Sequence, residues 1–230
     1  AAKAIAFAAD PSRLPLLVVA ERQTAGRGRG GRRWWSGSGA LTFSLLIAPS
    51  RHGLENRAGV LSIATALAVC DAVERVGGVQ ALVKWPNDVL VRDRKCAGVL
   101  LESPARDRLV IGVGVNVRNR VADGPPDVRD DAISLADAGA SVATPAAILA
   151  ETLERLAERI DQLAAGDERL AGDLAARCFL TGREVTLAVG GRRETGVCVG
   201  VAPNGALRLS RGDTVTAFRT GSVEAVGPQN

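Results

Sequence analysis

Histidine occurs once in this chain, as His52 in a polar Ser-Arg-His-Gly turn, which all but excludes a histidine-based catalytic triad or a histidine metal centre. Tyrosine is absent and aromatic residues make up 3% of the sequence. That is few for the exposed stacking surfaces by which single-stranded nucleic acids are held. No apolar stretch approaches the roughly 20 residues that a membrane helix needs without interruption by charge or proline. No signal peptide is recognisable. The four cysteines, Cys70, Cys96, Cys178 and Cys198, are far apart, form no CxxC pair and lie mostly within apolar runs. They read as buried, reduced residues of a cytosolic protein, so a cytoplasmic location is expected. Methionine is also absent, and Ala1 is therefore expected to lie downstream of the translated start.

What remains is the composition of an ordinary globular protein: 47% hydrophobic, 23% charged, with a formal net charge of +4. A chain of this length buries one substantial core and is expected to carry one main domain with a small appendage. The chemistry is concentrated between Gln23 and Trp35, QTAGRGRGGRRWW, which holds four glycines and four arginines. Apolar runs at Leu16–Ala20 and Leu41–Ala48 flank it, so it reads as a loop tethered between strands. Glycine lets the backbone approach a ligand closely, and arginine offers planar, permanently charged donors that match carboxylate or phosphate. The expected guest is an anion. Taken alone, such a run is equally a solvated basic turn.

Two further motifs decide between those readings. Lys84–Asp88, KWPND, is followed across a charged turn by Lys95, Gly98 and Glu102 in RKCAGVLLE, and Gly112–Val117, GVGVNV, is an apolar strand carrying one asparagine. In this order the three motifs resemble the catalytic domain of biotin protein ligases, which activate biotin with ATP and attach it to a lysine of an acceptor protein. The resemblance runs from about Leu16 to the C-terminus, and the pairing of GRGRxGRxW with KWPND is highly specific. It implies an α+β fold: a mixed, largely antiparallel sheet with packed helices, like that of class II synthetases, followed by a small SH3-like β-barrel.

Read in order, Ala1–Asp10 looks like the last turns of a helix ended by Asp10-Pro11. In the family a Ser-Thr-Asn segment that helps hold biotin precedes such a helix, and it is not part of this sequence. Leu14–Arg22 reads as a buried strand, Leu54–Val76 as a core helix stopped by Gly77-Gly78, and KWPND as a loop at a strand end. Strands are expected at Val89–Val91, Cys96–Glu102 and Leu109–Val117, then a polar connection over Val121–Asp131. Ile133–Leu135 resembles the family's Thr-Ser-Leu element. Thr144-Pro145 starts an amphipathic helix, with threonine at the N-cap, and a shorter helix follows over Glu168–Ala176. From Arg183 onward, five short alternating runs separated by tight turns predict the small barrel. The expected domains are residues 1–180, catalytic, and 181–230, SH3-like.

Matched position by position, the resemblance assigns Gln23, Arg27, Gly28, Arg29 and Lys95 to biotin. It assigns Arg32, Trp34, Asn87, Asp88 and Asn116 to ATP and the adenylate, with Trp34 stacked on adenine and Asn116 at its edge. Arg29, Lys95 and Lys84 are the expected stabilisers of developing charge. Trp85 reads first as a packing aromatic, and the glycines of GVGVNV as places where a sheet bends. Both reactants are anions and the mixed anhydride is itself the activated species, so no covalent nucleophile is needed. Magnesium is expected with ATP, and either Asp88 or Glu102 is its candidate carboxylate. The expected partner is the biotin carboxyl carrier domain of a carboxylase. A homodimer is compatible with the sequence.

Two rivals follow from the same residues. A lipoate or octanoate ligase shares the fold and part of the adenylate logic, but its histidine-containing signature is not seen. A nucleic-acid-binding module would use the basic loop and the C-terminal barrel, yet the Arg-Gly run does not recur and no wider basic stripe is visible.

Overall fold

The computed structural model describes residues 2–8, 10–55, 57–167 and 169–229. Its main sheet is built from β1 (Leu16–Ala20), β4 (Leu41–Ile47), β5 (Leu82–Lys84), β6 (Asp88–Val91), β7 (Arg94–Ala105) and β8 (Arg108–Val115). These strands pair antiparallel in the order β1-β4-β8-β7-β6-β5. The arginine loop carries its own two-stranded ribbon, β2 (Gly26–Arg27) with β3 (Arg33–Trp34). Five more strands, β9 (Arg183–Val189), β10 (Arg192–Val201), β11 (Leu207–Arg211), β12 (Thr214–Phe218) and β13 (Ser222–Gln229), form a second antiparallel sheet in the order β12-β11-β10-β9-β13. The expected α+β class with a large antiparallel sheet is what is found, and the second sheet is consistent with a small C-terminal β domain.

Of the helices α1 (Ala2–Ala6), α2 (Ala58–Gly77), α3 (Pro126–Asp131), α4 (Pro145–Ala165) and α5 (Arg169–Arg177), α2 lies deepest. Eleven of its residues are buried, because it is covered by the sheet on one side and by α4 on the other. A helix enclosed this way needs a broad apolar face, and Leu61, Ile63, Leu67, Val69 and Val73 supply it. Each fully buried Leu or Val of this kind contributes about 1.5–3 kcal/mol relative to exposure. Gly78 closes the helix in left-handed backbone, φ 66°, and its N–H donates to the Glu74 carbonyl. Asp71 on α2 accepts from Arg159 of α4 and from Arg177 of α5, tying the three helices together. Val185, Leu187, Leu207 and Leu209 of the second sheet join the same apolar cluster.

Thr144 caps α4 as the sequence predicts, its hydroxyl accepting from Ala147 N–H at 3.2 Å. Several expectations need correction. Leu16–Ala20 is an edge strand, not a buried one: Leu17 and Val19 are exposed because β1 has a neighbour on one side only. The first helix stops at Ala6, and Asp10 instead accepts from Ser12 N–H to cap a short 3₁₀ turn at Pro11–Arg13. The core helix starts at Ala58 rather than Leu54. The polar connection over Val121–Asp131 contains a 3₁₀ turn and α3, which begins on Pro126. The short second helix runs Arg169–Arg177, and its expected first residue, Glu168, lies outside the described residues.

Candidate active site

Strand register builds the floor of the site. Ala20, Thr42, Gly114, Gly98, Asp88 and Lys84 are successive partners across all six strands. Val18, Ser44, Gly112 and Leu100 form the next row on the same face. Apart from Val18 and Leu100, these positions carry small or polar side chains where a packed sheet would carry Val, Ile or Leu. The space so left is a cavity of about 410 Å³, roofed by the arginine loop and the KWPND turn. A volume of that order suits a small organic ligand.

Of the sequence-predicted residues, Gln23, Arg27, Gly28, Arg29, Arg32, Trp34, Lys84, Asn87, Asp88 and Lys95 all line this one cavity. Asn116 does not. It is buried just beyond β8, where its Oδ1 accepts from Asn119 Nδ2 at 3.1 Å and its own N–H donates to the Cys96 carbonyl at 2.8 Å. The structure thus ties it into the β8 end rather than bringing it to the ligand space.

Lys95 extends over Gly98, where an added Cβ would stand 3.4 Å from Nζ. Its ammonium sits 2.7 Å from Asp88 Oδ1 and 5.9 Å from the centre of a Trp34 ring. The Trp34 indole lies on Gly114 so closely that a Cβ there would come within 2.4 Å of it, and the indole N–H is buried without a partner. Glycine at 114 is therefore required by close approach. Asn87 is fixed by donating to the Val99 carbonyl at 2.7 Å, and its Oδ1 accepts from Arg29 at 3.4 Å. Burial lowers the Arg29 pKa from its ordinary value, with Asp88 opposing that shift and Arg32 adding to it. A guanidinium stays protonated in a protein all the same, so burial strengthens its interaction with an anion instead of discharging it.

Sequence reasoning missed the contribution of the C-terminal sheet. Arg29 also donates to the Gly221 carbonyl at 3.4 Å, and Ser222 and Val223 line the cavity. Trp85 is buried, as its packing reading expects, and its indole N–H donates to the Gly205 carbonyl at 2.9 Å while its ring faces Gly221. The KWPND turn is thereby pinned between two turns of the second sheet. Gly221, Ser222 and Val223 carry no chemistry that a motif would flag. Thr42 and Ser44 were hidden for the same reason, since only register puts them on the cavity face.

The two candidate metal carboxylates are already engaged, Asp88 with Lys95 and Glu102 with Arg27 at 2.9 Å. Among the described residues no group of three or more His, Cys, Asp or Glu side chains converges as a metal site would require. The described residues therefore do not form a resident metal centre. All four cysteines are free and buried. Burial pushes the Cys96 thiol up to about 12 and the Cys70 thiol further, so both are inert at neutral pH. No helix among the described residues is long and apolar enough to cross a membrane.

A mixed α+β fold of this kind is found among solved biotin protein ligases. The structure of the biotin protein ligase from Aquifex aeolicus in complex with biotin and ATP superposes with a TM-score of 0.81 at 29% identity, over 91% of this chain and 88% of that one. In sequence, the model of the Biotin/lipoate A/B protein ligase family matches residues 9–116. Biotin–[acetyl-CoA-carboxylase] ligase of Mycobacterium tuberculosis is 35% identical over 213 residues, covering 90% of this chain and 78% of that protein. The bifunctional ligase/repressor BirA of Bacillus subtilis is 38% identical over 127 residues, covering 53% of this chain but only 38% of that relative's length. The chain belongs to the biotin/lipoate A/B protein ligase family, on its biotin protein ligase side.

Proposed function

We propose that this protein activates biotin with ATP and transfers it to a lysine of a biotin carboxyl carrier domain. One observation carries the reading: Arg29, Arg32, Lys84 and Lys95 converge on a single cavity that also holds Trp34 and a floor of small residues. An apolar, bicyclic acid and a nucleotide phosphate are the two kinds of group such a space accommodates.

In the first step a biotin carboxylate oxygen attacks the α-phosphorus of ATP, the bond to the β-phosphate oxygen breaks, and pyrophosphate leaves. Two anions have to meet, and fixed positive charge removes their repulsion without reorganising during the reaction. Lys95, oriented by Asp88 and lying beneath Trp34, holds the carboxylate and α-phosphate. Arg29 and Lys84 meet the charge that builds on the phosphates, with Arg32 beside them. Gln23, Arg27 and Gly28 contribute to the biotin side, and Asn87, within 3.4 Å of Arg29, lines the nucleotide side. Trp34 offers its ring to adenine and an unpartnered N–H to an acceptor on the ligand, while Asn116 supports the β8 end of the nucleotide side from behind. In the second step the acceptor lysine, as the free amine, attacks the acyl carbon, AMP departs and the amine loses its proton. Magnesium enters bound to ATP as part of the substrate, in keeping with its habit of retaining water and sharing phosphates.

In this reading residues 1–180 are the catalytic domain and 181–230 an SH3-like domain that closes one wall of the cavity, and the protein works in the cytoplasm, where free thiols persist. The test is incubation with biotin, ATP and magnesium, then detection of biotinyl-5′-adenylate by mass and of pyrophosphate. Lipoate-dependent pyrophosphate release without biotin-dependent release overturns the substrate assignment.

A further inference from the structure

The loop that roofs the cavity is lightly fastened. Gly30 and Gly31 at its tip stand in left-handed backbone, φ 62° and 77°, with no heavy atom within 4 Å of where a Cβ would be. Arg29 reaches Asn87 and the Gly221 carbonyl at 3.4 Å each, near the limit of a hydrogen bond. A second cavity, lined by Arg27, Gly28, Arg29, Arg32, Leu100 and Glu102 among others, separates loop from sheet. Apolar packing therefore does not hold the loop down there.

The short charged link is Arg27 Nη2 to Glu102 Oε1, at 2.9 Å. Register explains why Glu102 is there to receive it. Glu102 pairs with Val110, which pairs with Leu46, which pairs with Leu16. That row lies on the same sheet face as the cavity floor, one step outside Val18, Ser44, Gly112 and Leu100. The carboxylate thus rises at the rim of the cavity from a strand held by β8. Its other oxygen, Oε2, is buried with no hydrogen-bond partner, an arrangement that costs free energy unless the charge is compensated. Among the described residues Arg27 is its salt-bridge partner.

We propose that Glu102 is a positioning residue: through Arg27 it holds the arginine loop over the cavity and so sets how long a carboxylate ligand stays beneath it. The anchoring stands on the geometry alone; its consequence for ligand residence rests on the biotin reading above. Arg27 is 54% exposed and Glu102 23%, so solvent screening limits the size of the effect. In the ligand-free full chain, Glu102→Gln is expected to speed trypsin cleavage after Arg29, Arg32 or Arg33 by about two- to fivefold, with an unchanged unfolding temperature. Biotin dissociation is expected to rise by the same factor, with the association rate unchanged.

The exchanged pair, Arg27→Glu with Glu102→Arg, restores slow cleavage relative to Arg27→Glu alone, because the link works by opposite charge and not by residue identity. Cleavage of Glu102→Gln at the wild-type rate overturns the proposal. So does an exchanged pair cut as fast as Arg27→Glu. Where Glu102→Gln lowers the unfolding temperature, the exchanged pair, compared with Arg27→Glu at equal stability, decides. If the wild-type chain retains no biotin, the biotin reading fails while the cleavage arms still test the anchor.

Discussion

Two rows of side chains cross the main sheet side by side and have opposite characters. Leu41, Val115, Ala97, Val89 and Val83 are register partners, every one of them buried, and they belong to the apolar cluster that includes α2. One residue away along the same strands, Thr42, Gly114, Gly98, Asp88 and Lys84 point to the other face and line the cavity. The strands, their order and their hydrogen bonds are common to both rows. Side-chain size and polarity alone decide that one row becomes core and the other a binding floor. Because strand side chains alternate with a period of two, a one-residue slip would exchange the rows and destroy both.

The sharpest break of this comparison is on the cavity row and its attendants. Lys95→Ala or Arg29→Ala is expected to reduce adenylate formation by about 10²–10³-fold, the usual consequence of removing one preorganised charge, while the unfolding temperature stays close to wild type. Pyrophosphate release and thermal unfolding measured on the same preparation check it; an active Lys95→Ala protein sinks the assignment. On the dry row the effect reverses. Leu41→Ala is expected to cost about 2–5 kcal/mol of stability, by lost burial plus a residual cavity, with near-normal specific activity in the folded fraction, as read by urea unfolding and active-site titration.

Gly114→Ala sharpens the comparison further, because a methyl group there meets the Trp34 indole at 2.4 Å. Trp34 belongs to the loop and moves aside, so the expected outcome is a rise of about tenfold in KM for ATP, with a smaller effect on biotin affinity and stability. Equal effects on both substrates would show that Trp34 does not belong to the nucleotide side. Smallest is Thr144→Ala, far from both rows, which removes the α4 cap. It should cost about 1 kcal/mol, seen as a drop of roughly 2–4 °C in Tm, with no change in kinetics.

Much of the site was legible because its chemistry is concentrated in sequence. Charges and glycines crowded between Gln23 and Trp34, and the Lys-Trp-Pro-Asn-Asp turn, have few structural reasons to occur together, and ten of the eleven residues they and their neighbours suggested do share one cavity. Asn116 is the instructive exception. An amide in an apolar strand demands a partner, and the sequence offers no means of telling a ligand from Asn119, three residues on, which is the partner it has. Glu102 looked like a metal carboxylate because the pairing with Arg27, across 75 positions of chain, is invisible before folding. The edge position of β1 was likewise unreadable, since Leu-Leu-Val-Val suits a central strand as well as an edge.

By itself, then, the order of residues determined the local devices: where helices are capped, where strands turn, and which short stretches carry cationic, flexible chemistry that ordinary packing does not call for. It also determined, through the likeness of those stretches to a family, the reaction to expect. Only the tertiary structure decided which threonine, serine and glycines form the floor, that a turn of the C-terminal sheet completes the wall, and which acid holds which arginine. The reason is physical. Local propensity acts through neighbours a few residues apart, whereas the floor, the wall and the ion pairs depend on strand register and on contacts between segments that meet only once the chain has folded.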